Sequence, residues 1–132
     1  ITMVAVSRTA LANLAAYKAR MGWNFKWVSS LETTFNQDFR VSFTQEEIDA
    51  GEKGYNFGTA HFHGEEAPGI SVFYKNGGGE IFHTYSTYSR GLDMLNGAYH
   101  LMDLAPKGRD EADLPYTMAW LRRHDQYEAA NA

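Results

Sequence analysis

Residues Thr2 to Val6 (Thr-Met-Val-Ala-Val) form a short, nearly continuous apolar run of the kind that suits a strand covered on both faces in a parallel sheet. Leu11, Leu14, Ala15 and Met21 then recur at helical spacing, so a helix is expected over residues 9 to 21, with Thr9 as its N-cap and Gly22 as its stop. Phe25 to Ser29 (Phe-Lys-Trp-Val-Ser) reads as a second strand. Together these make a β-α-β crossover, expected to be right-handed with parallel strands.

From Ser30 to Ala67 the periodicity fades. Thr44-Gln-Glu-Glu47 has capping-box spacing and predicts a short helix that Gly51 ends. The glycine-bearing stretch from Gly51 to Gly64 is expected to hold at most one short strand, Tyr55 to Thr59. Beyond Pro68, Ile70 to Tyr74 and Glu80 to Tyr85 are rich in β-branched and aromatic residues, and Lys75-Asn76-Gly77-Gly78-Gly79 between them predicts an antiparallel hairpin. A helix near 90 to 103 should follow, with Leu92, Leu95, Tyr99 and Met102 on its apolar face and Pro106 beyond its end. From Pro115 to Tyr127, Tyr116, Met118 and Trp120 alternate, so this tail either adds an edge strand or wraps the domain. Glu128 to Ala132 should fray. The expectation is one domain over residues 1 to 132, with one central sheet holding strands 2 to 6, 25 to 29 and the hairpin 70 to 85.

Composition narrows the function. The chain has 132 residues, 44% of them hydrophobic, which is enough for one buried core. A formal net charge of -4 and scattered Lys and Arg give no footprint for a phosphate backbone, so nucleic acid is not expected as a partner. No run approaches the roughly 18 apolar residues a membrane helix needs, and no membrane partner is expected. The sequence contains no cysteine, which removes disulfides, thiolate nucleophiles and Cys-ligated metal centres. The apolar strand begins almost at once after Ile1, so the chain reads as truncated at its N-terminus.

The order β-α-β, irregular excursion, proline, hairpin, helix resembles the thioredoxin and peroxiredoxin superfamily. Pro68-Gly-Ile-Ser-Val-Phe-Tyr-Lys-Asn-Gly77 is similar to the thioredoxin stretch running from the cis-proline through a strand to a Lys-Asn-Gly turn, with one extra residue. More closely, the chain resembles a bacterial thioredoxin-like family, domain of unknown function family 899, whose members are often described as predicted dithiol-disulfide oxidoreductases. Val4-Ala-Val-Ser-Arg8, Arg20-Met-Gly-Trp23, Trp27-Val-Ser-Ser30, Pro68 to Tyr74, Phe82 to Tyr88, Arg90-Gly-Leu-Asp93, Gly108-Arg-Asp-Glu111, Met118-Ala-Trp120 and Arg122-Arg-His-Asp125 carry that match. The resemblance implies an α/β fold, a thioredoxin-like three-layer α/β/α arrangement with a mixed sheet, whose first strand and helix are missing here. It also implies a cytoplasmic bacterial protein acting on a protein disulfide or a small-molecule substrate. The family's upstream Cys-x-x-Cys-like motif has no counterpart in this chain, so no catalytic residue carries over.

Ser7-Arg8 and Ser29-Ser30 fall at the carboxyl ends of two predicted parallel strands, the edge where open α/β sheets collect ligands. Ser7, Arg8, Ser29, Ala67 and Pro68 are therefore the substrate-groove candidates. The alternatives are that Ser7 and Thr9 simply cap the helix and that Arg8 is solvated. Pro68 is either the fold's cis-proline or an ordinary trans residue opening a strand. His61-Phe62-His63 places two imidazoles on one side of an extended segment, and Glu65, Glu66 or His83 are the available third ligands; otherwise this is a surface loop that happens to hold two histidines. No motif implies a cofactor. Phe82, Tyr85, Tyr88 and Tyr99 either line a pocket or, as their spacing favours, belong to the core.

Two classes of function follow. One is the thioredoxin-like domain of a dithiol-disulfide oxidoreductase or peroxiredoxin-like protein whose redox cysteines are not in this chain. The other is a non-catalytic thioredoxin-like binding module. An apolar strand at the terminus with an uncovered edge also predicts either self-association or a polypeptide upstream of Ile1.

Overall fold

The computed structural model describes residues 1–127; the fraying expected of Glu128 to Ala132 lies outside them. The fold is mixed α/β, and its strands make two small sheets, one parallel and one antiparallel. Two compact units divide the chain: Ile1–Leu31 with Met102 onward, and Glu32–Leu101.

In the first unit, β1 (Val4–Ser7) and β2 (Lys26–Ser29) run parallel in the register Val4↔Lys26 to Ser7↔Ser29, as the apolar pattern predicts. Between them α1 (Leu11–Met21) turns its buried Leu14 and Met21 inward. Ala10, not Thr9, holds the N-cap position, and no side chain caps it. The Thr9 N–H is drawn instead into a tight turn with the Ser7 carbonyl, and the Thr9 hydroxyl accepts from the Asn13 amide. Gly22 ends α1 as expected. At φ 65° it takes the left-handed conformation, and the Gly22 and Trp23 N–H groups donate to the Ala19 and Lys18 carbonyls. Strand β1 departs from expectation in its cover, since Val4 and Val6 stay 39% and 38% exposed.

Aromatic rings brace this unit. Tyr17, Trp23, Phe25 and Trp27 form a continuous chain of ring contacts with centroids 5.2 to 6.0 Å apart. The later segment is turns and a short 3-10 helix, His124–Gln126, rather than an edge strand. It is tied to α1 by Arg20, which donates to both carboxylate oxygens of Asp125 at 2.7 and 3.0 Å. That hydrogen bonding holds the Asp125 carboxyl below its ordinary pKa and raises the guanidinium's.

The second unit starts with α2 (Phe35–Asp38) and α3 (Gln45–Asp49). The Thr44 capping box forms as its spacing predicts: the Thr44 hydroxyl accepts from the Glu47 N–H, and the Glu47 carboxylate accepts from the Thr44 N–H. The stretch at Tyr55 to Thr59 is not a strand but a tight turn closed by an isolated bridge between Tyr55 and Ala60. The hairpin of β3 (Gly69–Lys75) and β4 (Ile81–Tyr88) is antiparallel, with Thr84 bulged opposite the Val72–Phe73 step. Asn76 shapes its turn, its side-chain oxygen accepting from the Gly78 and Glu80 N–H groups. Gly69 is required where it stands, because a Cβ there would lie 2.8 Å from the Tyr88 ring.

Two expectations are corrected here. The described strands form two two-stranded sheets rather than one central sheet, each ladder joining strands that are neighbours in sequence. The single helix near 90 to 103 is broken into a 3-10 segment, Ser89–Leu95, and α4, Gly97–Met102. Asn96 between them sits at φ -112° and ψ 83°, outside helical space. Gly91 and Gly97 each weaken a continuous helix by about 1 kcal/mol relative to alanine, so the apolar spacing alone could not hold it together.

The core of the second unit is Val41, Tyr55 and Tyr88, with Phe39, Phe43, Ala60, Phe62 and Ala67 packed against it. Of the four aromatics assigned to the core, Tyr88 and Tyr99 are buried, whereas Phe82 and Tyr85 are about half exposed.

Candidate functional site

The strand ends of the first unit are knotted together by hydrogen bonds. The Ser7 carbonyl accepts from both the Thr9 and the Ser30 N–H, each at 3.0 Å, so the chain leaving β1 and the chain leaving β2 are pinned to one oxygen. The Trp27 indole N–H donates to the Ser7 hydroxyl oxygen at 3.0 Å. The Ser29 hydroxyl donates to the Thr9 carbonyl at 2.6 Å and accepts from the Leu31 N–H at 3.2 Å. Ser30 is buried, while Arg8 projects from the same turn with an exposed side chain.

These bonds decide what each group has left to offer. Ser29 uses its one proton on Thr9 and is a framework hydroxyl. The Ser7 hydroxyl oxygen accepts the Trp27 indole N–H and keeps its own O–H as a donor. Among the described residues the partners of both hydroxyls are backbone groups and an indole, with no imidazole or carboxylate bonded to either as a base. The edge carries the Ser7 hydroxyl and, next in sequence, the exposed Arg8, residue types that suit an electron-rich or anionic group.

The structure brings Ser7, Arg8 and Ser29 together at one edge of the first unit; Ala67 and Pro68 belong to the second. There the peptide bonds of the described residues are all trans, which decides against the cis-proline and for a trans proline just ahead of β3. Its surroundings are ordered. The Ala67 N–H donates to the Val41 carbonyl at 2.8 Å, and the Pro68 carbonyl accepts from the Tyr55 hydroxyl at 2.7 Å. That hydroxyl in turn accepts from the Ser89 N–H at 2.8 Å. Burial pushes the Tyr55 phenol pKa up, against the opposing pull of the Ser89 N–H.

His61 and His63 do lie side by side, ring centroids 4.4 Å apart and planes at 87°. Of the third ligands considered for them, Glu66 and His83 are engaged elsewhere. Glu66 accepts from Asn36 and Ser42, and the His83 ring nitrogen contacts the Tyr85 carbonyl and the Ser86 hydroxyl. Among the described residues no group of three or more His, Asp or Glu side chains is placed to hold a metal ion.

Sequence reasoning missed Trp27 and Tyr55. Trp27 had a readable signal: two residues before Ser29 it shares that residue's face of β2, from which its indole reaches the neighbouring strand's end. Tyr55 had none, because it lies in an aperiodic segment.

The sequence profile of a family described as "Bacterial protein of unknown function (DUF899)" matches residues 1–127. No curated protein and no solved structure matches the chain.

Proposed function

We propose, for a chain that belongs to the DUF899 family of bacterial proteins of unknown function, that it is the thioredoxin-like part of a dithiol-disulfide oxidoreductase or peroxiredoxin-like protein, with the reactive sulfur supplied from outside these 132 residues. In such an exchange a thiolate attacks one sulfur of a disulfide, a mixed disulfide forms, and the second sulfur leaves as a thiolate. This chain has no sulfur nucleophile to offer. Its contribution is the strand-end edge, where the Ser7 O–H and the Arg8 guanidinium would steady the electron-rich sulfur or oxygen of the substrate. The observation that carries the reading is the knot on the Ser7 carbonyl, which fixes both parallel strand ends where ligands collect in open α/β sheets.

A second reading, a non-catalytic thioredoxin-like binding module, is favoured by the absence of cysteine and, among the described residues, of a base hydrogen-bonded to either serine. Both readings require the same edge to bind. The test is amide chemical-shift mapping on the chain with glutathione disulfide as the probe. Binding should shift Ser7, Arg8, Ser29 and Ser30 and be lost in Arg8→Ala. Shifts confined to other residues, or none at millimolar probe, would remove the edge from the account.

A further inference from the structure

We propose that His61 and His63 form a two-imidazole chelate for copper(II), a site independent of the oxidoreductase reading. Phe62 packs into the Val41–Tyr55–Tyr88 core, its ring centroid 5.2 Å from that of Tyr55, so its two neighbours emerge together on the opposite side of the segment. That segment is pinned at both ends, by the Tyr55↔Ala60 bridge before it and the Ser42↔Glu66 bridge after it. The pair is held ready by the backbone rather than assembled by the metal.

The tautomer of His61 is set as a metal ligand needs it. Its Nδ1 lies 3.3 Å from the Glu52 carbonyl oxygen. A carbonyl only accepts, so Nδ1 carries the proton and Nε2 is left with a lone pair, the arrangement in which ligating histidines are ordinarily oriented by a backbone carbonyl behind them. The two rings are close enough to reach one ion. With metal–nitrogen bonds of about 2.0 Å, and each nitrogen roughly 1.1 Å from its ring centre, two imidazoles at 90° about a metal have centroids about 4.4 Å apart. The observed separation is 4.4 Å. Copper(II) takes imidazole ligands and heads the divalent affinity order for a nitrogen site. Water completes the coordination, in keeping with the lack of a third protein ligand among the described residues.

The test is titration of the 132-residue chain with copper(II) alone, followed by calorimetry and electron paramagnetic resonance. One ion per chain should bind, with nitrogen coupling from two imidazoles. His61→Ala or His63→Ala should each weaken binding by about ten-fold or more, whereas His100→Ala, which removes an exposed imidazole elsewhere, should not. Unchanged affinity in the folded double variant, or a bound ion without two-nitrogen coupling in the unaltered chain, marks an adventitious ion only and overturns the proposal.

Discussion

Tyr55 shows how much one side chain can organise. Its phenol donates to the carbonyl of Pro68, just before β3, and accepts from the N–H of Ser89, just after β4, so a single oxygen ties together the two open ends of the hairpin. Ser89 sits at φ 49°, a left-handed conformation that a non-glycine residue holds only with outside support. Tyr55→Phe keeps the ring packing and deletes the oxygen, leaving a backbone donor and an acceptor short of a partner. The expected loss is about 1–3 kcal/mol, read from the denaturation midpoint at unchanged m-value. Wild-type stability would mean that the ring alone fixes the hairpin ends. Nothing in the sequence marked Tyr55 for this part, because its partners are 13 and 34 residues away.

At the scale of elements, legibility follows locality. Helix α1, the Thr44 box and the hairpin were readable because their causes lie within a few residues: a 3.6-residue apolar period, a cap with its reciprocal glutamate, a glycine-rich turn between β-branched runs. Thr44→Ala removes the hydroxyl that accepts the Glu47 N–H and should cost about 0.5–2 kcal/mol, seen as loss of amide protection over Gln45–Asp49. Protection unchanged across those residues would show that tertiary packing, not the cap, holds α3. The helix read over 90 to 103 failed for the converse reason. Its apolar spacing was sound, but Gly91, Asn96 and Gly97 oppose continuous helix from inside the run. Over Ser30 to Ala67 the period fades, yet this stretch supplies Val41 and Tyr55 to the core.

For the whole molecule, cysteine-free composition and strand order do different work. The β-α-β unit pairs Ser7 with Ser29; the sequence placed both at the carboxyl ends of predicted parallel strands, and the register came from the structure. The bonds that divide labour between the two hydroxyls were not visible, since they depend on an indole crossing to the next strand. Pro68 shows the limit of analogy: a motif-like proline with one extra residue in its neighbourhood proves to be trans. The function proposed above makes this chain a scaffold for sulfur chemistry that a cysteine-free sequence cannot itself perform. Insulin reduction with dithiothreitol as reductant, run on the 132-residue chain beside a no-protein control, tests that proposal most directly. The account predicts turnover at the no-protein rate for the chain, which has no cysteine to form the sulfur intermediates; turnover above that rate would contradict it.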